Sequence, residues 1–299
     1  MIGKHAYLIM AHNQPEHLRK LLDVLDNERN DIFIHLDKKS SIDPQSLSDI
    51  CQKSKMYFTN RLNVYWGGGT QIEAELILLE AAVSKGQYQY YHLLTGVDFP
   101  LKKQSEILLF FDEHYGENFI SINEVKNTKY LARVKYYYPL QDHKQDPLIK
   151  ICRKVLIICQ RMFGVDRTKR YSQIKKWAIG SAYFDITDDV ARYLVGKKNE
   201  IKSVFESTFC ADEMFLQTLV LNSEIYRDLR LYKSSKNNPY IQNTYMDVLR
   251  AIDWTRGKPY VWKKEDYGIL IDSNCLFARK FDFTNSPEIV EMLYEKIKE

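Results

Sequence analysis

The first 122 residues alternate short apolar runs with segments of helical period, and that alternation narrows the possible folds more than any other feature of the sequence. AYLIMAH (6–12) is a continuous apolar run, as expected for a strand covered on both faces. Pro15 to Leu25 then carries Leu18, Leu21, Leu22 and Leu25 at helical spacing. DIFIHLD (31–37), KMYFT (55–59), YYHLLTG (90–96) and NFISI (118–122) read as further strands. Helices are predicted at Ser41 to Ile50, at Gly69 to Lys85 and at Ser105 to Tyr115. Repeated βα units imply a mainly parallel sheet covered by helices, and right-handed crossovers make a Rossmann-like arrangement the economical one. Ligands of such sheets sit beyond the carboxyl ends of the strands. Those ends carry Ala11–His12–Asn13, Asp37–Lys38 and Thr95–Gly96–Val97–Asp98.

The second half is less regular. Pro147 to Phe163 predicts a helix with Leu148, Ile151, Cys152, Val155, Ile158, Cys159 and Met162 on one side. Lys150, Arg153, Lys154 and Arg161 surround its polar side, and Arg167, Lys169 and Arg170 follow. The apolar side either packs on the protein's own core or rests on a membrane, with the basic residues of 147–170 near anionic headgroups. WAIGSAYFDIT (177–187), a helix from Asp188, a helix through Asp212–Asn222, a strand-like CLFARKFD (275–282) and a last helix at Pro287 to Lys298 complete the chain. No repeat or low-complexity linker divides it. The expected organisation is one domain over 1–299, with a nucleotide-binding half (1–125) and an acceptor-binding, catalytic half (126–299).

Composition removes several function classes. The 43 basic and 39 acidic residues nearly cancel, which argues against a nucleic-acid binder. Cys51, Cys152, Cys159, Cys210 and Cys275 fit no zinc spacing or disulfide framework and predict reduced thiols. No run of 18 apolar residues is present, and the N-terminal apolar run is too short for a signal peptide. These features lead to the expectation of a cytoplasmic protein, at most peripheral at the inner membrane face. GxGxxG, P-loop and GxSxG motifs are absent, and so is the Asp-x-Asp with which many nucleotide-sugar enzymes hold a metal.

Four segments could carry chemistry, each with a plainer alternative. In CADEMFLQTL (210–219), Asp212 and Glu213 either cap a helix or supply a general base. Met214, Phe215 and Leu216 follow at once, and desolvation would raise a carboxylate's proton affinity. Arg279 and Lys280 in FARKFD are either a basic pair on a solvated strand end or a clamp for a diphosphate. WGGGT (66–70) is either a tight turn or a set of amides aimed at an oxygen-rich ligand. Asp98 in TGVDFP either holds a sugar hydroxyl or caps a nearby helix. His12 and His35 read as strand residues, and their spacing fits no metal site.

Taken in order, AYLIMAHNQPEHLRKLL, IHLDKKS, VYWGGGT, LLTGVDFPLK, GSAYFDIT, ADEMFLQTLVLNS and LFARKFD resemble the core-2/I-branching β-1,6-N-acetylglucosaminyltransferase family, which includes the peptide O-xylosyltransferases. The resemblance runs from about residue 6 to residue 282. It implies a GT-A-type α/β fold, inversion at the anomeric carbon, a UDP-sugar donor, no metal cofactor and a glycan or lipid-linked acceptor. Carried over by position, Glu213 resembles the catalytic base, and Lys280 the cation on the donor diphosphate, with Arg279 beside it. Met10, Ala11, His12, Asp37 and Tyr65 fall where the family contacts uridine. Trp66, Asp98, Tyr183 and Trp254 fall near the donor sugar or acceptor. The family's second phosphate-binding Arg has no clear counterpart; Arg256, Lys263 and Lys264 are nearby substitutes. WGGGT and FARKF resemble the xylosyltransferase branch, whereas GSAYF and the Asp–Glu pair resemble the branching enzymes.

Overall fold

The computed structural model describes residues 3–141, 146–234 and 241–299, with only the backbone described at Asn243. Strand β1 (His5–Ala11) leads through α1 (Pro15–Leu25) to β2 (Asn30–Leu36) and β3 (Lys55–Phe58). Helix α2 (Gly69–Lys85) then returns the chain to β4 (Tyr90–Thr95) on the other side of β1. The central sheet has the order β3-β2-β1-β4, all parallel, and β9 (below) joins its edge antiparallel to β4. The chain therefore reverses its winding between β1 and β4, which is where such sheets open a crevice for ligands.

Alternate residues of β1 explain its unbroken apolar run. Tyr7, Ile9 and Ala11 point into a core shared with α1, while Ala6 and Leu8 point into the core beneath α2. After β4 come β5 (Phe99–Pro100), α3 (Gln104–Glu113), β6 (Glu117–Asn118), β7 (Asn123–Glu124), α4 (Thr128–Lys135) and α5 (Pro147–Met162). Short strands β8 (Ala178–Ile179) and β9 (Asp185–Ile186) precede α6 (Asp188–Gly196), α7 (Lys198–Phe205) and α8 (Phe215–Leu221), which share the core of α2. Strand β10 (Arg230–Leu231) pairs with β6. The chain ends with α9 (Asn243–Met246), β11 (Arg250–Ile252), α10 (Tyr267–Ile271), β12 (Phe277–Arg279) and α11 (Pro287–Ile297). A second sheet, β11-β12-β5, lies in the first core and carries the FARKFD segment.

Three expectations are corrected. The helix predicted at Ser41 to Ile50 is only a 3-10 turn, Pro44–Leu47. Pro44 bars its predecessor from helical geometry, and Asp43 is extended and accepts from the Gln45 amide instead. NFISI pairs only at its start: Phe119 exchanges both backbone hydrogen bonds with Asp185. Beyond it, the Ser121 carbonyl lies where a Cβ on residue 180 would stand (1.8 Å away), so only glycine fits at Gly180. The single helix predicted through Asp212–Asn222 is a 3-10 turn, Ala211–Glu213, followed by α8. Cys210 before that turn has φ 47°, and Met214, not an acidic residue, occupies the cap position of α8.

Candidate active site

A cleft of about 260 Å³ opens at the carboxyl ends of β1, β2 and β4. Met10, Ala11 and His12 form one wall, Asp37 and Lys39 another, and Trp66 and Arg279 close it. The ends of β1 and β4 come together because Gly96 lacks a side chain. A Cβ there would meet the Ala11 Cβ at 2.8 Å. The Gly96 amide donates to the Met10 carbonyl. His12 is exposed just past the end of β1, not inside the strand. Partial desolvation holds its pKa below the usual histidine range; Asp37 opposes this, and Lys280, Arg279 and Lys39 add to it. Three cations thus converge on the mouth of β1, a field suited to an anionic ligand. His35 is buried and its Nε2 accepts from the Leu62 amide at 3.2 Å, so it is the satisfied strand histidine anticipated.

The cations are held from behind. Strand β12 runs antiparallel to β5, which brings Arg279 beside the turn that follows β4. Its guanidinium pairs with Asp98 at 3.1 Å and also donates to the Thr95 hydroxyl. Asp98 is fully buried and accepts as well from the Thr95 amide (2.7 Å) and hydroxyl (2.9 Å). Tyr183 is buried with its ring 5.5 Å from the Arg279 guanidinium. The backbone around Lys280 is fixed on both sides: the Trp262 amide donates to the Lys280 carbonyl and the Phe281 amide to the Val97 carbonyl, each at 3.0 Å. Arg256, a proposed second cation, is engaged by Asp253 and Asp266. Lys263 and Lys264 begin the short turn before α10.

Asp37 is buried beneath the cleft, accepting from the Lys39 and Val64 amides, and Lys39 spans back to it at 3.1 Å while lying 4.1 Å over the Tyr65 ring. The amides of the WGGGT turn are taken by the chain itself. Gly67 donates to the Gln71 side chain, Gly68 to the Tyr65 carbonyl and Gly69 to the Gln141 side chain. The glycines therefore make the tight turn, and those three amides are not directed at a ligand. That turn also joins the cleft to the acidic segment. Trp66 packs edge-on against Phe209 at 6.2 Å, and the Cys210 amide donates to the Gly67 carbonyl.

Glu213 follows three residues later. Its carboxylate pairs with Arg133 of α4, the two side chains being 30% and 22% exposed. Its backbone carbonyl accepts from the Gly180 amide at 2.9 Å, so GSAYF and ADEMF are stitched together. The carboxylate whose proton affinity rises is the neighbour. Burial first, and then the Glu213 charge, push Asp212 up to about 6. Behind it stands Glu75 of α2, buried, with Oε2 lacking a hydrogen-bond partner among the described residues, and raised well above the usual range by burial and by Asp212. Asp212 also acts electrostatically on Arg279, which ties the acidic turn to the cation side of the cleft. Tyr245 feels both Glu213 and Arg133 and stacks on the half-exposed Trp254 at 6.2 Å. A second hollow, about 540 Å³, lies on the far side of Arg133 between Tyr130, Tyr136, Arg161 and Phe209.

Sequence reasoning missed Arg133, which lies 80 residues from its partner in a segment with no motif. It also missed the fully buried Arg250–Asp185 pair, bonded twice at 2.9 Å, with His92 on Asp185 at 2.8 Å. Here a signal existed: in VLRAI and YFDIT a lone charge interrupts an otherwise apolar strand. Among the described residues no three His, Cys, Asp or Glu side chains are arranged to hold a metal. None of the five cysteines is in a disulfide bond, and no described helix is long and apolar enough to cross a membrane.

Comparison with known proteins agrees with the motif order. The chain is 24% identical over 310 residues to a human N-acetyllactosaminide beta-1,6-N-acetylglucosaminyl-transferase, covering 96% of this chain and 70% of that protein. It is 19% identical over 322 residues to rat xylosyltransferase 2, covering 96% of this chain but only 33% of the relative. A bovine beta-1,3-galactosyl-O-glycosyl-glycoprotein beta-1,6-N-acetylglucosaminyltransferase is 23% identical, with 93% of this chain and 65% of that protein covered. The chain thus spans about a third of the length of the xylosyltransferases it matches. The family model for the Core-2/I-Branching enzyme matches residues 5–270. With that match across most of its length, the chain belongs to the Core-2/I-branching enzyme family.

Proposed function

We propose that this chain is an inverting glycosyltransferase that moves a sugar, GlcNAc before xylose or glucose, from a UDP-sugar to a glycan or lipid-linked hydroxyl, without a metal ion. The observation that carries the reading is the union of two features in one place. A cleft at the switch point gathers Arg279, Lys39 and His12, and the loop that closes it packs directly on the segment bearing Glu213. In the proposed step the acceptor hydroxyl attacks the anomeric carbon opposite the departing UDP, so an α-linked donor gives a β product. Glu213 takes the hydroxyl proton. Arg133 holds Oε2 and so aims the other oxygen. Negative charge grows on the diphosphate and is met by Lys280 and by Arg279, the latter kept in place by Asp98 and Thr95. Preference for GlcNAc follows the two relatives so named, at 24% and 23% identity. A xylose donor is the second reading, favoured by rat xylosyltransferase 2 and by the sequence of the WGGGT and FARKF segments. A role in bacterial surface polysaccharide synthesis on the cytoplasmic side is part of the same proposal.

The test is UDP release from a panel of UDP-sugars in excess EDTA. Turnover with one donor and no loss in EDTA is the expected result. An absolute need for Mn²⁺ would remove the metal-free mechanism. Glycan binding with no affinity for UDP would point instead to a carbohydrate-binding protein.

A further inference from the structure

Helix α5 turns its apolar face outward. Leu148, Ile151, Val155, Ile158 and Met162 recur at spacings of three and four residues, and their side chains are 71, 59, 52, 55 and 77% exposed. Phe163, directly after the helix, is 82% exposed. The inward line is narrow: Gln160 is the helix's one buried residue, and it exchanges hydrogen bonds with the Tyr137 backbone at 2.8 and 2.9 Å. Among the described residues, the protein's own core therefore does not cover this apolar side. An apolar stripe of this size on water needs a partner.

Charge decides which. Residues 147–162 contain Lys150, Arg153, Lys154 and Arg161 and no Asp or Glu. The stripe has the spacing of a coiled-coil seam, but an antiparallel second copy would set the flanking Lys154 and Arg161 against each other, and a parallel one would leave them facing no acid of the helix. An anionic bilayer accepts both features, the apolar residues entering the headgroup boundary and the cations meeting lipid charge. Lys169 and Arg170, both exposed, extend the basic rim. We infer that α5 docks this protein on an anionic membrane surface. Arg161 of the same helix lines the hollow that reaches Arg133 and, through it, Glu213. Docking would therefore hold the acceptor side of the site beside the lipid, a consequence that rests on the proposed transfer reaction, whereas docking itself does not.

Vesicle flotation tests it without any turnover. The intact chain should float with phosphatidylcholine vesicles containing phosphatidylglycerol and much less with phosphatidylcholine alone. Ile151→Ser/Ile158→Ser/Met162→Ser should abolish flotation. Lys150→Glu/Lys154→Glu should weaken it by roughly tenfold or more. Unchanged UDP-induced thermal stabilisation in both variants would show that the fold and donor site survive. Wild-type protein that stays at the bottom with either vesicle overturns the inference. So does an apolar variant that floats like wild type, or light scattering that shows a dimer which the triple serine variant splits, since the stripe's occupant would then be a second copy.

Discussion

Two arginine–carboxylate pairs in this chain share their chemistry and differ in everything around it. Arg250 and Asp185 are both wholly buried, joined by two bonds, and anchored to the Leu93 and Val248 carbonyls and to His92. They bolt the second sheet, through β11, to β4 and β9 of the central one. Arg133 and Glu213 are each partly in water, on a short helix and a 3-10 turn. A buried pair that loses one member leaves a charge with no solvent to receive it, so its geometry is held rigidly. A half-exposed pair contributes little to stability and can exchange partners at low cost. The first setting suits a frame, and the second suits a group that must give up and accept protons.

The comparison can be broken most sharply at Glu213. Glu213→Gln keeps the shape and the contact with Arg133 but removes the base. Turnover should fall roughly 10²–10⁴-fold, while urea unfolding shifts by less than about 1 kcal/mol and UDP still raises the thermal midpoint. Full activity in this variant would reject the assigned base. Arg250→Met should do the reverse. It strands the Asp185 carboxylate in the core, and urea unfolding should show a loss of roughly 3–5 kcal/mol. Adding Asp185→Asn should recover part of that loss; two additive losses would show that the pair does not act as a unit.

Lys280→Ala lies between these extremes. Lys280 is half-buried in a backbone fixed by Trp262 and Val97, so removing its amine should leave stability nearly intact. UDP affinity and turnover should weaken together, with turnover down roughly 10²-fold. Lost turnover with unchanged UDP affinity would place the amine away from the diphosphate.

The frame and the site were unequally legible in sequence. The strands β1, β2 and β4 announce themselves because both their faces are covered, so apolar residues run on consecutively inside each of them. The residues that line the cleft could be read because a parallel sheet gathers its strand ends on one side. Arg133 could not, since its role arises only when α4 folds over a turn 80 residues away. Asp212 and Glu213 were readable as a pair, but not that Asp212 is the one whose proton affinity rises. The turn that carries them starts at Cys210 in a left-handed conformation and lies against Glu75 of α2, neither of which a motif announces. The outward face of α5 was equally hidden, because an amphipathic pattern specifies a stripe and not what covers it.

The same contrast sets opposite pH dependences, and Asp212 gives the smallest of the effects. Burial pushes Asp185 up, but Arg250 and His92 hold it below the usual carboxylate range, so its contribution is present near neutrality and lost in acid. Asp212 runs the other way. Raised to about 6 by burial and by Glu213, it binds its proton more tightly folded than unfolded, where a free aspartate titrates near ~3.9. Its contribution is complete below that lower value and is lost as pH rises through about 6. Stability measured by urea unfolding should therefore decline between about pH 4 and 7 by about 2 kcal/mol on account of this group. Asp212→Asn should remove that part of the decline. Some slope should persist, because Glu75 is raised by the same burial and keeps its own proton. An unchanged slope in Asp212→Asn would mean that the neighbouring Glu213 charge and the surrounding protein do not raise the proton affinity of Asp212.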